Sequence, residues 1–142
     1  MTVDRGLLDT SILILLDRIA DKSPLPATPL ISSVTLAELS VGPLLAGDDE
    51  ERAVRQRHLQ LAEADFDALP FDSRAARAFA GVAHSLRRSG RKPASRTYDA
   101  MIAAVAIAND LPLFTCNPAD FAGIQGLSVV AVPHPDHSGI ER

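Results

Sequence analysis

A chain of 142 residues is long enough for one compact domain and too short for two comfortable ones. Its hydrophobic fraction of 46% is mostly aliphatic (five Phe, one Tyr, no Trp), which suits helices packed on a buried parallel sheet. A lone cysteine, Cys116, excludes an internal disulfide, and the net charge of −4 excludes a uniformly basic nucleic-acid binder.

The start of the chain lacks a signal-peptide pattern, and no apolar run approaches the roughly 18 to 20 residues of a spanning helix, so a cytoplasmic protein without membrane contact is expected. Charge distribution matters more than its sum. Arg87, Arg88, Arg91, Lys92 and Arg96 fall within ten residues with no acid among them, whereas Asp48, Asp49, Glu50 and Glu51 concentrate negative charge elsewhere. Charge alone leaves solvated surface as an equal explanation of both runs.

The apolar run from Arg5 ends in the polar turn Asp9-Thr10-Ser11 and reads as a first strand. Ile12 to Ile19 predicts a helix buried on most sides, and the Pro-rich stretch from Ser23 to Pro29 a loop. Leu30 to Ser32 forms a brief second strand, followed by a helix from about Ser33 to Ala46 that Gly42-Pro43 interrupts. Asp48 to Asp65 is helical by propensity and charged on one face. A third strand over Phe66 to Phe71 leads to Asp72, the cap of a long helix carrying Ala75, Phe79, Val82, Ala83 and Leu86 at helical spacing and ending near Gly90. After a loop, Arg91 to Arg96, a helix of small apolar residues spans Thr97 to Asn109. A fourth strand (Pro112 to Thr115), a helical turn at Asn117-Pro118 and a fifth strand (Leu127 to Val132) complete a single domain over 1–133, with an irregular tail over 134–142.

Strands alternating with helices predict an α/β fold: a central parallel sheet of about five strands with helices on both faces. Right-handed crossovers place every strand's carboxyl end on one edge, where ligands of such sheets bind. Asp9 ends the first strand, Glu38 lies in the early turns of the following helix, and Asp99 opens the helix that leads antiparallel into the fourth strand. Asn117 and Asp120 follow that strand directly. Each has a local explanation: Asp9 as a cap or turn residue, Thr35 and Glu38 as a capping box, Asp99 as a dipole partner, Asn117-Pro118 as a helix start. Convergence on one rim favours a shared role, because clustered carboxylates raise one another's pKa unless a cation is present, and oxygen-only clusters suit Mg²⁺ or Mn²⁺.

Leu7-Leu8-Asp9-Thr10-Ser11, Ser32-Ser33-Val34-Thr35-Leu36-Ala37-Glu38-Leu39, Tyr98-Asp99-Ala100-Met101-Ile102-Ala103-Ala104 and Thr115-Cys116-Asn117-Pro118-Ala119-Asp120-Phe121 resemble, in order and spacing, the motifs of PIN domains. More narrowly, they resemble VapC toxins of bacterial toxin–antitoxin pairs, over nearly the whole chain from about Val3 to Val132. The resemblance implies a Mg²⁺- or Mn²⁺-dependent endoribonuclease, usually homodimeric and inhibited by a VapB-type antitoxin. It assigns the metal to Asp9, Glu38 and Asp99, and the hydroxyl that orients the first acid to Ser11, with Thr10 as the alternative. The family's fourth acidic position falls on Asn117, an amide, with Asp120 three residues on as a replacement carboxylate, so the number of metals stays open.

Asp9 and Asp99 are expected as main ligands and Glu38 as a base or water-mediated ligand, with Asn117 or Asp120 completing the outer shell. Arg91, Lys92 and Arg96, immediately before Asp99, are expected to contact RNA phosphates. His84, His134, His137 and Cys116 are expected to pack or face solvent, having no partners for zinc or a triad. The apolar helices over Ile12–Ile19 and Leu36–Leu45 are expected mainly in the core, with surplus surface for a dimer seam or an antitoxin groove. A phosphoacceptor receiver would need paired acids after the first strand, an Asp after the third and a Lys after the fifth, and here Phe71-Asp72 ends the third strand without those partners. A D-x-D-x-T phosphotransferase fails at Thr10-Ser11, and no phosphate-binding glycine loop is present. The non-enzymatic alternative is a degenerate PIN scaffold that binds RNA or protein without cleavage, which only Asn117 favours.

Overall fold

In a computed structural model, which describes residues 4–92 and 96–136, five strands form one parallel sheet in the order β3-β2-β1-β4-β5. The strands are β1 (Arg5–Leu8), β2 (Thr28–Ser32), β3 (Asp67–Leu69), β4 (Leu113–Thr115) and β5 (Val129–Ala131). The helices are α1 (Thr10–Leu15), α2 (Ser33–Val41), α3 (Asp49–Asp65), α4 (Ser73–Arg88) and α5 (Thr97–Ala108). Strand periodicity sorts the side chains into two cores. Leu7, Leu30 and Leu113 face α4 and α5, while their successors Leu8, Ile31 and Phe114 face α1 and α3. The expected parallel sheet with helices on both faces is what the chain forms.

Local chemistry sets the helix boundaries. Asp48 and Asp72 accept from Glu51 N and Ala75 N at 2.8 and 3.0 Å and so cap α3 and α4. Asp49, Glu50 and Glu51 place negative charge at the positive end of α3. Beyond α4, Gly90 at φ +80° turns the chain left-handed, and Arg91 N returns to Leu86 O at 2.9 Å. Asp110 (φ 55°) ends α5 in the same way, with Leu111 N bonded to Ala106 O at 2.9 Å.

Several boundaries differ from expectation, among them the second strand, which begins at Thr28 within the predicted loop rather than at Leu30. The first helix stops at Leu15 and tightens into a 3₁₀ turn, Leu16–Arg18, before Ile19 turns extended to enter the core. It is less enclosed than predicted, since Ile14 is 44% exposed. Pro43, which has no N–H to give, ends α2 at Val41 and starts a 3₁₀ turn, Gly42–Leu45, leaving Leu44 and Leu45 at the surface. The third and fifth strands are shorter than predicted because pairing, not apolarity, decides their ends. Residues 134–136 are irregular and tied to Arg18 through Asp136; the remainder of the predicted tail and residues 93–95 lie outside the described residues.

The packing of α5 and α4 positions the polar groups at the sheet's carboxyl edge. Ala100, Ala103, Ala104 and Ala106 are fully buried, so their small side chains let α5 lie close to its neighbours. α4 is antiparallel to α5: Arg74, in its first turn, donates to Ala108 O at 3.2 Å, while Arg91, past its end, reaches the segment after β4.

Candidate functional site

The chain runs outward from β1 through β2 to β3, then returns to β4 on the other side of β1. The carboxyl ends of β1 and β4 therefore flank the point where strand order reverses, the usual ligand crevice of such sheets. Asp9 leaves β1 there with its N–H bonded to Phe114 O at 3.0 Å. Leu8 pairs with Phe114, so the next residues, Asp9 and Thr115, face each other across the two strand ends.

Asp9 is 4% exposed and doubly anchored. One oxygen, Oδ1, accepts from Ser11 N at 2.8 Å, from Ile12 N at 3.4 Å and from Ser11 Oγ, capping α1. The other, Oδ2, accepts from Thr115 Oγ1 at 2.6 Å. Burial raises the Asp9 pKa while these bonds to its charged form oppose the rise. The capping role and the candidate site role thus coincide in one carboxylate.

Glu38 projects from the second turn of α2, and its Oε1 accepts from Thr10 Oγ1 at 2.7 Å. Thr10 Oγ1 is also 3.0 Å from Thr35 Oγ1. A hydroxyl has one proton, so Thr35 donates to Thr10 and Thr10 to Glu38. The capping box expected of Thr35 and Glu38 does not form; Ser32 caps α2 by accepting from Val34 N at 2.9 Å. Burial chiefly, and then the negative charge of Asp9, raise the Glu38 pKa.

Asp99 is half-buried in the first turn of α5. Its pKa is raised to about 6, first by burial and then by the charges of Asp9, Asp120 and Glu38, with Arg96 opposing. Four acids from four separate segments therefore share one electrostatic field. They form a rim rather than a closed cage: among the described residues, no three His, Cys, Asp or Glu side chains are gathered closely enough to ligate one ion directly.

Asn117 is exposed and makes no side-chain capping bond, contrary to its expected local role, although its N–H bonds Thr115 Oγ1 at 2.9 Å. Asp120 lies in the 3₁₀ turn Pro118–Phe121, and its Oδ1 accepts from Arg96 Nη1 at 3.1 Å. Arg91 Nη1 donates to the Asp120 carbonyl at 3.0 Å. Two of the three cations expected on phosphate are thus directed at the turn after β4, and Lys92 lies exposed beside Arg91. Ser11 Oγ, assigned to orient the first acid, donates to Asp9 Oδ1 and accepts from Cys116 N at 3.3 Å.

Sequence reasoning missed Thr115 and Thr35. The available signal for Thr115 was a small hydroxyl at the end of the strand before Asn117; its partner became visible only through the β1–β4 register. His84 is exposed, and His134 Nδ1 accepts from Asp136 N at 3.1 Å. Cys116 is buried, which pushes its thiol pKa up, and His137 lies outside the described residues.

Residues 6–126 match the family model described as the PIN domain. The chain is 40% identical over 129 residues to Ribonuclease VapC5 of Mycobacterium tuberculosis, covering 89% of this chain and 93% of that protein. It is 30% identical over 133 residues to Ribonuclease VapC1 of Rickettsia felis, covering 92% and 98%. Among solved structures, it resembles a chain of the VapBC-5 toxin–antitoxin structure from Mycobacterium tuberculosis, with TM-score 0.74, 37% identity and coverage of 90% and 98%.

Proposed function

The chain belongs to the PIN-domain family, alongside the VapC ribonucleases, and we propose that it is a cytoplasmic, divalent-metal-dependent endoribonuclease acting as the toxin of a VapBC-type pair. The observation that carries this reading is the electrostatic coupling of Asp99 to Asp9, Glu38 and Asp120 at the carboxyl edge of the sheet. Carboxylates that raise one another's pKa are a donor set a divalent cation would relieve, and oxygen donors at a half-open rim fit Mg²⁺ or Mn²⁺ with water completing the shell.

Asp9, Asp99 and Glu38 would hold the ion in part through bound water, since no three of the acids close on one point among the described residues. When bound, it supplies Lewis acidity toward a phosphodiester and lowers the pKa of a bound water. The protein's own residues set the rest. Ser11, Ile12 and Thr115 fix the Asp9 carboxylate, and the Thr35–Thr10 relay fixes one oxygen of Glu38, leaving Oε2 to accept a proton from water. Arg91 and Lys92 would give phosphates a positive border beside acids that would otherwise repel them.

A groove of about 390 Å³ opens beside Thr10 and Glu38 and is lined further by Ile14, Leu39 and Val54. Its apolar lining suits the apolar face of an antitoxin helix, in line with a VapB-type partner. The rim geometry also favours a second reading, a scaffold that binds RNA without cutting it, because no three acids close on one point among the described residues.

RNA cleavage by the purified chain decides between them. Cleavage that rises with Mg²⁺ or Mn²⁺, disappears with EDTA and is lost in Glu38→Gln supports the nuclease. RNA binding without metal-stimulated cleavage supports the scaffold.

A further inference from the structure

The fourth acidic corner already contains a cation from the protein itself. Arg96, the residue that precedes α5, places Nη1 3.1 Å from Asp120 Oδ1, with the two side chains 34% and 42% exposed. Arg91 grips the same residue from the main-chain side, donating to its carbonyl at 3.0 Å. Asp120 N also bonds Asn117 O at 3.0 Å, so the turn is held at its amide, its carbonyl and its carboxylate. The neighbouring Asn117 brings no charge. Among the described residues, no arginine forms a comparable ion pair with Asp9 or Glu38, which accept instead from hydroxyls and backbone amides.

We propose that Arg96 is a positioning residue that acts as a built-in counter-cation for Asp120, restricting the site to one divalent ion held by Asp9, Glu38 and Asp99. This rests on the metal-dependent reading of the site. A second divalent ion near Asp120 would meet a guanidinium within hydrogen-bond distance of the carboxylate it needs. Like charges at that range repel strongly in a half-buried site, and displacing Arg96 would sacrifice a charge-assisted hydrogen bond. Arg96 immediately precedes α5, whose first turn carries Asp99, and Asp120 follows β4, the neighbour of β1 that ends at Asp9, so the pair sits at the edge of the sheet that carries the other acids rather than on unrelated surface.

The proposal predicts metal stoichiometry, which activity alone would not reveal. Mn²⁺ binding is measured by calorimetry and by the loss of the free-ion paramagnetic resonance signal, with circular dichroism on the same samples to verify folding. Wild type should bind one Mn²⁺ per chain, and so should Asp120→Asn, because Asp120 is not a ligand while Arg96 holds it. Arg96→Gln should bind a second ion, Arg96→Lys should restore one, and Arg96→Gln combined with Asp120→Asn should return to one.

A wild type that binds two ions, an Asp120→Asn variant that binds none, or a folded Arg96→Gln variant that binds only one would each overturn the role given to Arg96. Those outcomes leave the nuclease reading standing. No Mn²⁺ bound by wild type would overturn both.

Discussion

Replacing Asp99 with Asn should stabilise the metal-free protein while it removes cleavage. The folded chain raises this carboxyl from an ordinary 3.8 to about 6, chiefly through burial and then through Asp9, Asp120 and Glu38. Between those two values the folded state holds a proton that the unfolded state has released. Stability therefore falls as pH rises through that window, and the full cost is present above it. The gap corresponds to a ceiling of about 3 kcal/mol. Asp99 is only half-buried, so solvent screening lowers this to about 1–2 kcal/mol near neutral pH. An uncharged Asn of similar shape avoids that cost. In EDTA at about pH 7.5, Asp99→Asn should melt roughly 3–8 °C above wild type, and the advantage should shrink as pH falls toward about 4. Adding Mg²⁺ should raise the wild-type Tm and move the variant less, since only the native state with its full acid set binds the ion well. Thermal melts of both proteins across pH, with and without Mg²⁺, test each part. A variant no more stable than wild type in EDTA at neutral pH would refute the reasoning, as would a gain of equal size at both ends of the pH range.

Thr115→Val keeps the shape but removes the donor to Asp9 Oδ2, and should cost about 1–3 kcal/mol, read as a lower urea midpoint. An unchanged midpoint would mean that this bond contributes nothing to the fold. At Gly6, an added Cβ would lie 2.7 Å from Phe114 Cδ1 and 3.1 Å from Pro26 Cγ. Gly6→Ala should therefore destabilise by about 1–3 kcal/mol, and Phe114→Leu in the same chain should recover part of the loss. If the double variant is no more stable than Gly6→Ala alone, the ring is not the obstacle.

Much of this molecule is written in short stretches of chain. Alternation within Leu7-Leu8, Leu30-Ile31 and Leu113-Phe114 already specifies two faces, because side chains of a strand alternate whatever the strand pairs with. Asp48 and Asp72 cap helices through bonds to residues three positions on, and Gly90 ends α4 by a conformation that glycine adopts without strain. Asp9 and Asp99 could be aimed at one rim from sequence, since crossover handedness and the antiparallel run of α5 into β4 leave them one edge to occupy.

Partner choice was a different matter. The pairing of Asp9 with Thr115 spans 106 positions and exists only because β4 docks directly on β1. Local pattern supported a capping box at Thr35 and Glu38, yet α2 is capped by Ser32, and Glu38 turns to Thr10, 28 residues away. Arg96 offered a charge for phosphate, and the fold brought it to Asp120 instead. Backbone periodicity and capping act over a turn or two of chain and can be read from neighbours. Which buried oxygen meets which hydroxyl, and which arginine meets which acid, depends on strand order and helix placement, and those are decided by the packing of the whole domain.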